Sequence, residues 1–89
     1  MEKFVVFGEY CKDVIIKREP FREEHLNRLI SLKDRNFLVT LGPTKCTKYL
    51  FGIFNANDEI QLRNLIEEDI YWEKGIWTNY KIYQWVQAF

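Results

Sequence analysis

The chain has one histidine, two cysteines, two prolines and four glycines, and no net charge, its 13 Lys and Arg residues balancing 13 Asp and Glu. Each scarcity removes a class of function. With no net positive field to gather phosphate backbones or anionic lipid, neither nucleic acid nor a membrane surface is an expected partner. No apolar run approaches the roughly 18 residues of a membrane-crossing helix, and MEKFVVFGEY at the start lacks the pattern of a signal peptide, so a cytoplasmic location is expected. Cys11 and Cys46 stand far apart with no CxxC motif and no neighbouring histidine; free, buried or half-buried thiols are expected rather than a zinc site or redox pair. A lone histidine without a ligand cluster, and a first strand not followed by a glycine-rich phosphate loop, give no reason to expect a metal, nucleotide or flavin, and no cofactor is expected. Repeats, linkers and low-complexity tracts are absent, and residues 1–89 are read as a single domain.

What is abundant is apolar surface. Hydrophobic residues make up 47% of the chain and aromatics 17%, far too much for disorder, yet a domain this small has a marginal core unless a second surface covers it. Lys3–Gly8, KFVVFG, is a continuous apolar run that reads as a strand buried on both faces. A helical turn capped by Asp13 is expected over Asp13–Glu19, then a break at Pro20 and a main helix to about Asp34. Asn36 suits a left-handed stop; FLVTLG (Phe37–Gly42) and KYLFGIFN (Lys48–Asn55) read as a second and third strand forming a hairpin. Asn57 or Asp58 caps a second helix that carries Leu62, Leu65 and Ile66 and ends near Asp69; one further turn follows, Gly75 stops it, and Ile76–Gln87 makes the fourth strand. The order βαββαβ is that of an α+β, ferredoxin-like fold: a four-stranded antiparallel sheet with both helices on one face.

In the last strand, alternation sets Trp77, Lys81, Tyr83 and Trp85 on one side and Ile76, Tyr80, Ile82 and Val86 on the other. Both sides carry large apolar groups, but two helices cover only one. A two-fold mate laying its own sheet face to face would bury the other, so a homodimer through the sheet face is expected. An aromatic platform for single-stranded RNA shares the element order. However, KYLFGIFN lacks the basic-Gly-aromatic pattern of RNA-recognition strands, and the charge is balanced.

Chemistry concentrates in PFREEHLNRLISL, Pro20–Leu32. On a helical wheel Phe21, Leu26, Leu29, Ile30 and Leu32 share one arc, and His25 and Arg22 fall inside it; Glu23, Glu24, Asn27, Arg28, Ser31 and Asp34 take the other side. If the second helix continues in register, Asp69 also arrives on its apolar side. Inward polar groups cost about 1–3 kcal/mol each when unpaired, so these three side chains need partners or a wet cleft. A carboxylate on one imidazole nitrogen fixes the tautomer and leaves the other nitrogen to move a proton, which makes His25 and Asp69 a candidate acid/base pair and Arg22 a candidate anion anchor. The bland alternative is a histidine satisfied within a core.

These segments together resemble the YCII-related (YciI-like) family: KFVVFG, Lys17-Arg18 before the helix, Arg22-x-x-His25-Leu26 with Arg28-Leu29, Gly42-Pro43 closing strand two, Glu68-Asp69 with Tyr71, Gly75, and a last strand ending at Phe89. The resemblance implies a dimeric α/β-barrel and a His–Asp active site, mapping onto His25 and Asp69; one member is associated with dehydrochlorination of a hydroxylated ring. The sequence departs from the family pattern at Ile70, where proline is usual, and in the short loop Thr44–Thr47. The expectation is a cofactor-independent acid/base enzyme, an isomerase or lyase, acting on a small aromatic or enolisable molecule. The alternative is a non-catalytic dimeric module for small-molecule binding or assembly.

Overall fold

A computed structural model describes all 89 residues, Met1–Phe89. The strands are β1 (Glu2–Tyr10), β2 (Leu38–Pro43), β3 (Tyr49–Ala56) and β4 (Trp77–Trp85), and the helices α1 (Val14–Lys17), α2 (Arg22–Asp34), α3 (Glu59–Glu67) and α4 (Ile70–Glu73). A 3-10 turn, Glu19–Phe21, leads into α2 with Pro20 where a missing N–H is harmless. The sheet order is β2-β3-β1-β4 with every neighbour antiparallel, which is the ferredoxin-like arrangement. No helix is long and apolar enough to cross a membrane.

Local chemistry sets the element ends. Asn36 adopts the left-handed conformation at φ 66°, and its carbonyl accepts a hydrogen bond from the buried Asn55 side chain at 3.0 Å, tying the end of α2 to β3. Asp58 caps α3, accepting from the Gln61 N–H at 2.8 Å, and Gly75 at φ 68° ends α4. Asp13 precedes α1 as expected but caps nothing: its backbone is left-handed, at φ 59°, and not in the extended conformation from which a cap side chain reaches back.

The core lies between the sheet and the helices. Phe4, Val6, Leu50 and Phe54 project from β1 and β3 onto Leu32 of α2 and Leu62 and Ile66 of α3. In this chain β1 is therefore buried on one face, not two: Phe7 is 48% exposed on the other, with Phe51 and Tyr83 around it at centroid distances of 5.2 and 6.4 Å. Trp77 departs from simple alternation. The β1–β4 register pairs Glu9 with Asn79 but Tyr10 with Trp77, so Thr78 is an extra residue, and Trp77 turns into the core away from Tyr83 and Trp85. Of the two thiols, Cys11 is half-buried, while Cys46 is exposed on the hairpin loop, where nothing packs over it.

Gly8 marks a tight approach to the backbone of a neighbouring strand, since a Cβ there would lie 2.5 Å from the Asn79 carbonyl oxygen and 2.9 Å from Leu50 Cδ2. Gly8→Ala is expected to destabilise the fold by about 1–3 kcal/mol, because the obstacle is partly backbone and cannot rotate away. Urea denaturation followed by tryptophan fluorescence measures the change.

Candidate functional site

Asp69 is fully buried yet lies outside α3, which ends at Glu67. It reaches the interior as the N-cap of α4, not by helical register: its Oδ1 accepts the Tyr71 N–H at 2.9 Å. The same oxygen lies 2.7 Å from His25 Nδ1, and Oδ2 accepts from Arg28 at 3.0 Å. A second Arg28 nitrogen donates to the Leu65 carbonyl at 2.7 Å, which clamps the end of α3. One carboxylate thus takes three donors, the condition under which it is stable away from water.

The face that α2 buries consists of His25, Arg28, Leu29 and Leu32, spaced i, i+3, i+4 and i+7. The wheel reading is corrected at four residues. Arg28, assigned to the solvent side, turns inward to Asp69; Leu26 and Ile30, assigned to the buried arc, are 38% and 60% exposed, and Arg22, placed inside the same arc, is exposed too. The helix is rolled toward its polar partner: the buried Asp69 carboxylate sits beneath the His25–Arg28 edge and is costly to leave without those donors.

His25 is clamped by aromatics. Its ring stacks on Tyr71 at 3.6 Å and 9°, and Trp77 meets it edge-on at 5.2 Å. Because an ionised Asp69 only accepts, Nδ1 carries the proton in the neutral ring, and Nε2 keeps its lone pair. Nε2 has no protein partner and is not among the buried unpaired atoms; the ring forms part of the wall of a cleft of about 170 Å³, where it meets Tyr10, Arg18, Arg22, Pro43 and Tyr71. Burial pushes the Tyr10 and Tyr71 phenols above their ordinary value of 10.0, and the positive charge of Arg18 opposes the rise in both. The Trp77 indole also favours ionised Tyr10, but stands outside hydrogen-bonding geometry, its Nε1 buried without an acceptor.

All three residues singled out in the sequence therefore gather here: His25 and Asp69 in direct contact, and Arg22 on the cleft wall, hydrogen-bonded to neither. The wheel missed Arg28, which had a signal, being one turn from His25 on a helix. Arg18 and Tyr71 were marked only as parts of the family resemblance, with no role attached, and Tyr10 had no signal beyond its place near a predicted strand end. No three His, Cys, Asp or Glu side chains come together as a metal-ligand set.

The model of the YCII-related domain matches residues 2–86. No curated protein matches the chain. Among solved structures, the chain is similar to 5-chloro-2-hydroxyhydroquinone dehydrochlorinase (TftG) from Burkholderia phenoliruptrix AC1100, in complex with 2,5-dihydroxybenzoquinone. The TM-score is 0.82 at 19% identity, over 97% of this chain and 95% of that one, which is a likeness of fold.

Asp69→Asn keeps the size of the side chain but sets an N–H where an acceptor is needed. It is expected to cost about 3 kcal/mol, measured as the shift in denaturation midpoint at constant m-value, with the loss spread over His25 and Arg28.

Proposed function

The chain belongs to the YCII-related family, and from that premise we propose that it is a cofactor-independent enzyme that moves a proton on a small enolisable or aromatic molecule in the cytoplasm. The observation that carries this reading is the 2.7 Å contact between His25 Nδ1 and Asp69 Oδ1, with Nε2 left free at the cleft. Asp69 orients the ring and stabilises the imidazolium; Tyr71 and Trp77 hold its plane. His25 Nε2 would take a proton from carbon, the bonding pair entering a new double bond. In an isomerase the imidazolium returns the proton at another carbon. In a lyase a leaving group departs with its electron pair. Arg22 would hold the negative charge that develops or that the substrate already carries. The dehydrochlorination named for TftG, on a hydroxylated ring, also pairs loss of a proton with departure of a leaving group, and it supports the lyase form.

The second reading, a non-catalytic binding or assembly module, draws on the packing: His25 is only 5% exposed, and Asp69 has structural bonds to Arg28 and Tyr71 besides the histidine. Kinetics separate the two. A panel of chlorinated and unchlorinated hydroquinones and β-keto acids, assayed for chloride release and for deuterium exchange, is expected to yield turnover that His25→Gln lowers by roughly 10²–10⁴-fold without a change in fold. Equal rates in wild type and variant would leave the module reading.

We also infer a homodimer through the outer sheet face, where Phe7, Phe51 and Tyr83 form a contiguous exposed aromatic cluster. Light scattering at micromolar concentration is expected to give twice the chain mass, and Phe7→Glu to return it to one; a wild-type monomer removes the inference.

A further inference from the structure

The cleft beside His25 holds positive charge with no acid to answer it. Arg18 and Arg22 both line it, and neither takes part in the ion pairs of the molecule, which join Arg28 to Asp69 and Arg63 to Glu59. The Arg18 Nε is buried without a hydrogen-bond partner, one of only two such side-chain nitrogen or oxygen atoms in the protein. Leaving a guanidinium N–H unpaired away from water is unfavourable, and the two terminal nitrogens of Arg18, which have no protein acceptor and are not shut off from solvent, leave the group open to a ligand. Asp69 does not serve, since its three hydrogen bonds come from His25, Arg28 and the Tyr71 N–H and none from Arg18. The remaining walls are flat or aliphatic: Tyr71 and Leu29 on one side, Leu41 and Pro43 from the sheet edge on the other.

We propose that Arg18 and Arg22 form a carboxylate-binding site and that the ligand of this cleft is a small planar carboxylic acid, an aromatic or conjugated ring bearing one carboxylate. The two terminal nitrogens of Arg18 supply the parallel N–H donors that match two carboxylate oxygens, its Nε being closed off from the cleft, and Arg22 adds charge from the exposed side. The ring then lies against apolar walls within reach of the histidine. A cleft of about 170 Å³ suits one ring and excludes a nucleotide. The inference rests on the reading of this cleft as a small-molecule site. It adds a second arginine to Arg22 and a chemical class to the substrate, and it requires no turnover.

The test is a titration of the full chain with benzoate and with its uncharged isostere benzamide, followed by ¹H–¹⁵N NMR at the Trp77 indole and Arg18 Nε–H signals. Benzoate is expected to move both signals and benzamide neither. Arg18→Gln should weaken benzoate by roughly tenfold or more, with Arg18→Lys recovering part of the loss. Arg63→Gln, away from the cleft, should leave binding unchanged, and melting curves of each free variant show whether the fold is intact. Equal response to benzamide, no response to benzoate, or benzoate binding indifferent to Arg18→Gln in a folded protein would overturn the proposal. Benzoate held through Arg18 in a protein that exchanges no substrate proton upholds the carboxylate site while removing the acid/base reading.

Discussion

A single carboxylate, that of Asp69, holds three pieces of chain in their mutual positions. Through His25 and Arg28 it fixes the roll of α2, through the Tyr71 N–H it starts α4, and through Arg28 and the Leu65 carbonyl it binds the end of α3. A buried anion tolerates only arrangements that supply it with donors, so it selects one packing of the helices among many that would bury similar apolar area. That packing leaves Leu26 and Ile30 in solvent, which a helix placed by hydrophobicity alone would not do.

Much of the fold was legible because it depends on patterns of short range. Runs of Val, Phe and Tyr marked four strands; Asn36, Asp58 and Gly75 marked ends through backbone and capping chemistry that needs only neighbours. The site was legible in its members but not in its assembly. His25 stood out as a polar residue on an apolar arc, and Asp69 was located by assuming a helix that stops before it reaches that residue. Arg28 was lost because a wheel weighs side chains by hydrophobicity and has no account of a charge that turns inward to meet another. Trp77 was assigned to the wrong face for a different reason: alternation is a counting rule, and one extra residue reverses it.

The two faces of the sheet divide the labour. The inner one carries the core and, at the end of β1, the Tyr10 wall of the cleft; the outer one presents Phe7, Phe51 and Tyr83. Because Tyr10, Leu41 and Pro43 are sheet residues and His25 and Tyr71 belong to the helical layer, the cleft lies at the seam between layers. Rigid elements on both sides set its width, which suits a site whose ligand is aligned by two flat walls.

The bulge at Thr78 bears on how such a chain could change over time. Parity in β4 is set there by a residue count, and the count decides whether an indole stands beside the histidine or on the outer sheet face. Thr78 itself is exposed, and its hydroxyl meets only the Glu9 carbonyl at 3.2 Å, so many side chains would serve in its place. Its presence is another matter. At this point on the surface the length of the chain is under stricter constraint than its composition, and drift would be free to alter the letter but not to delete it.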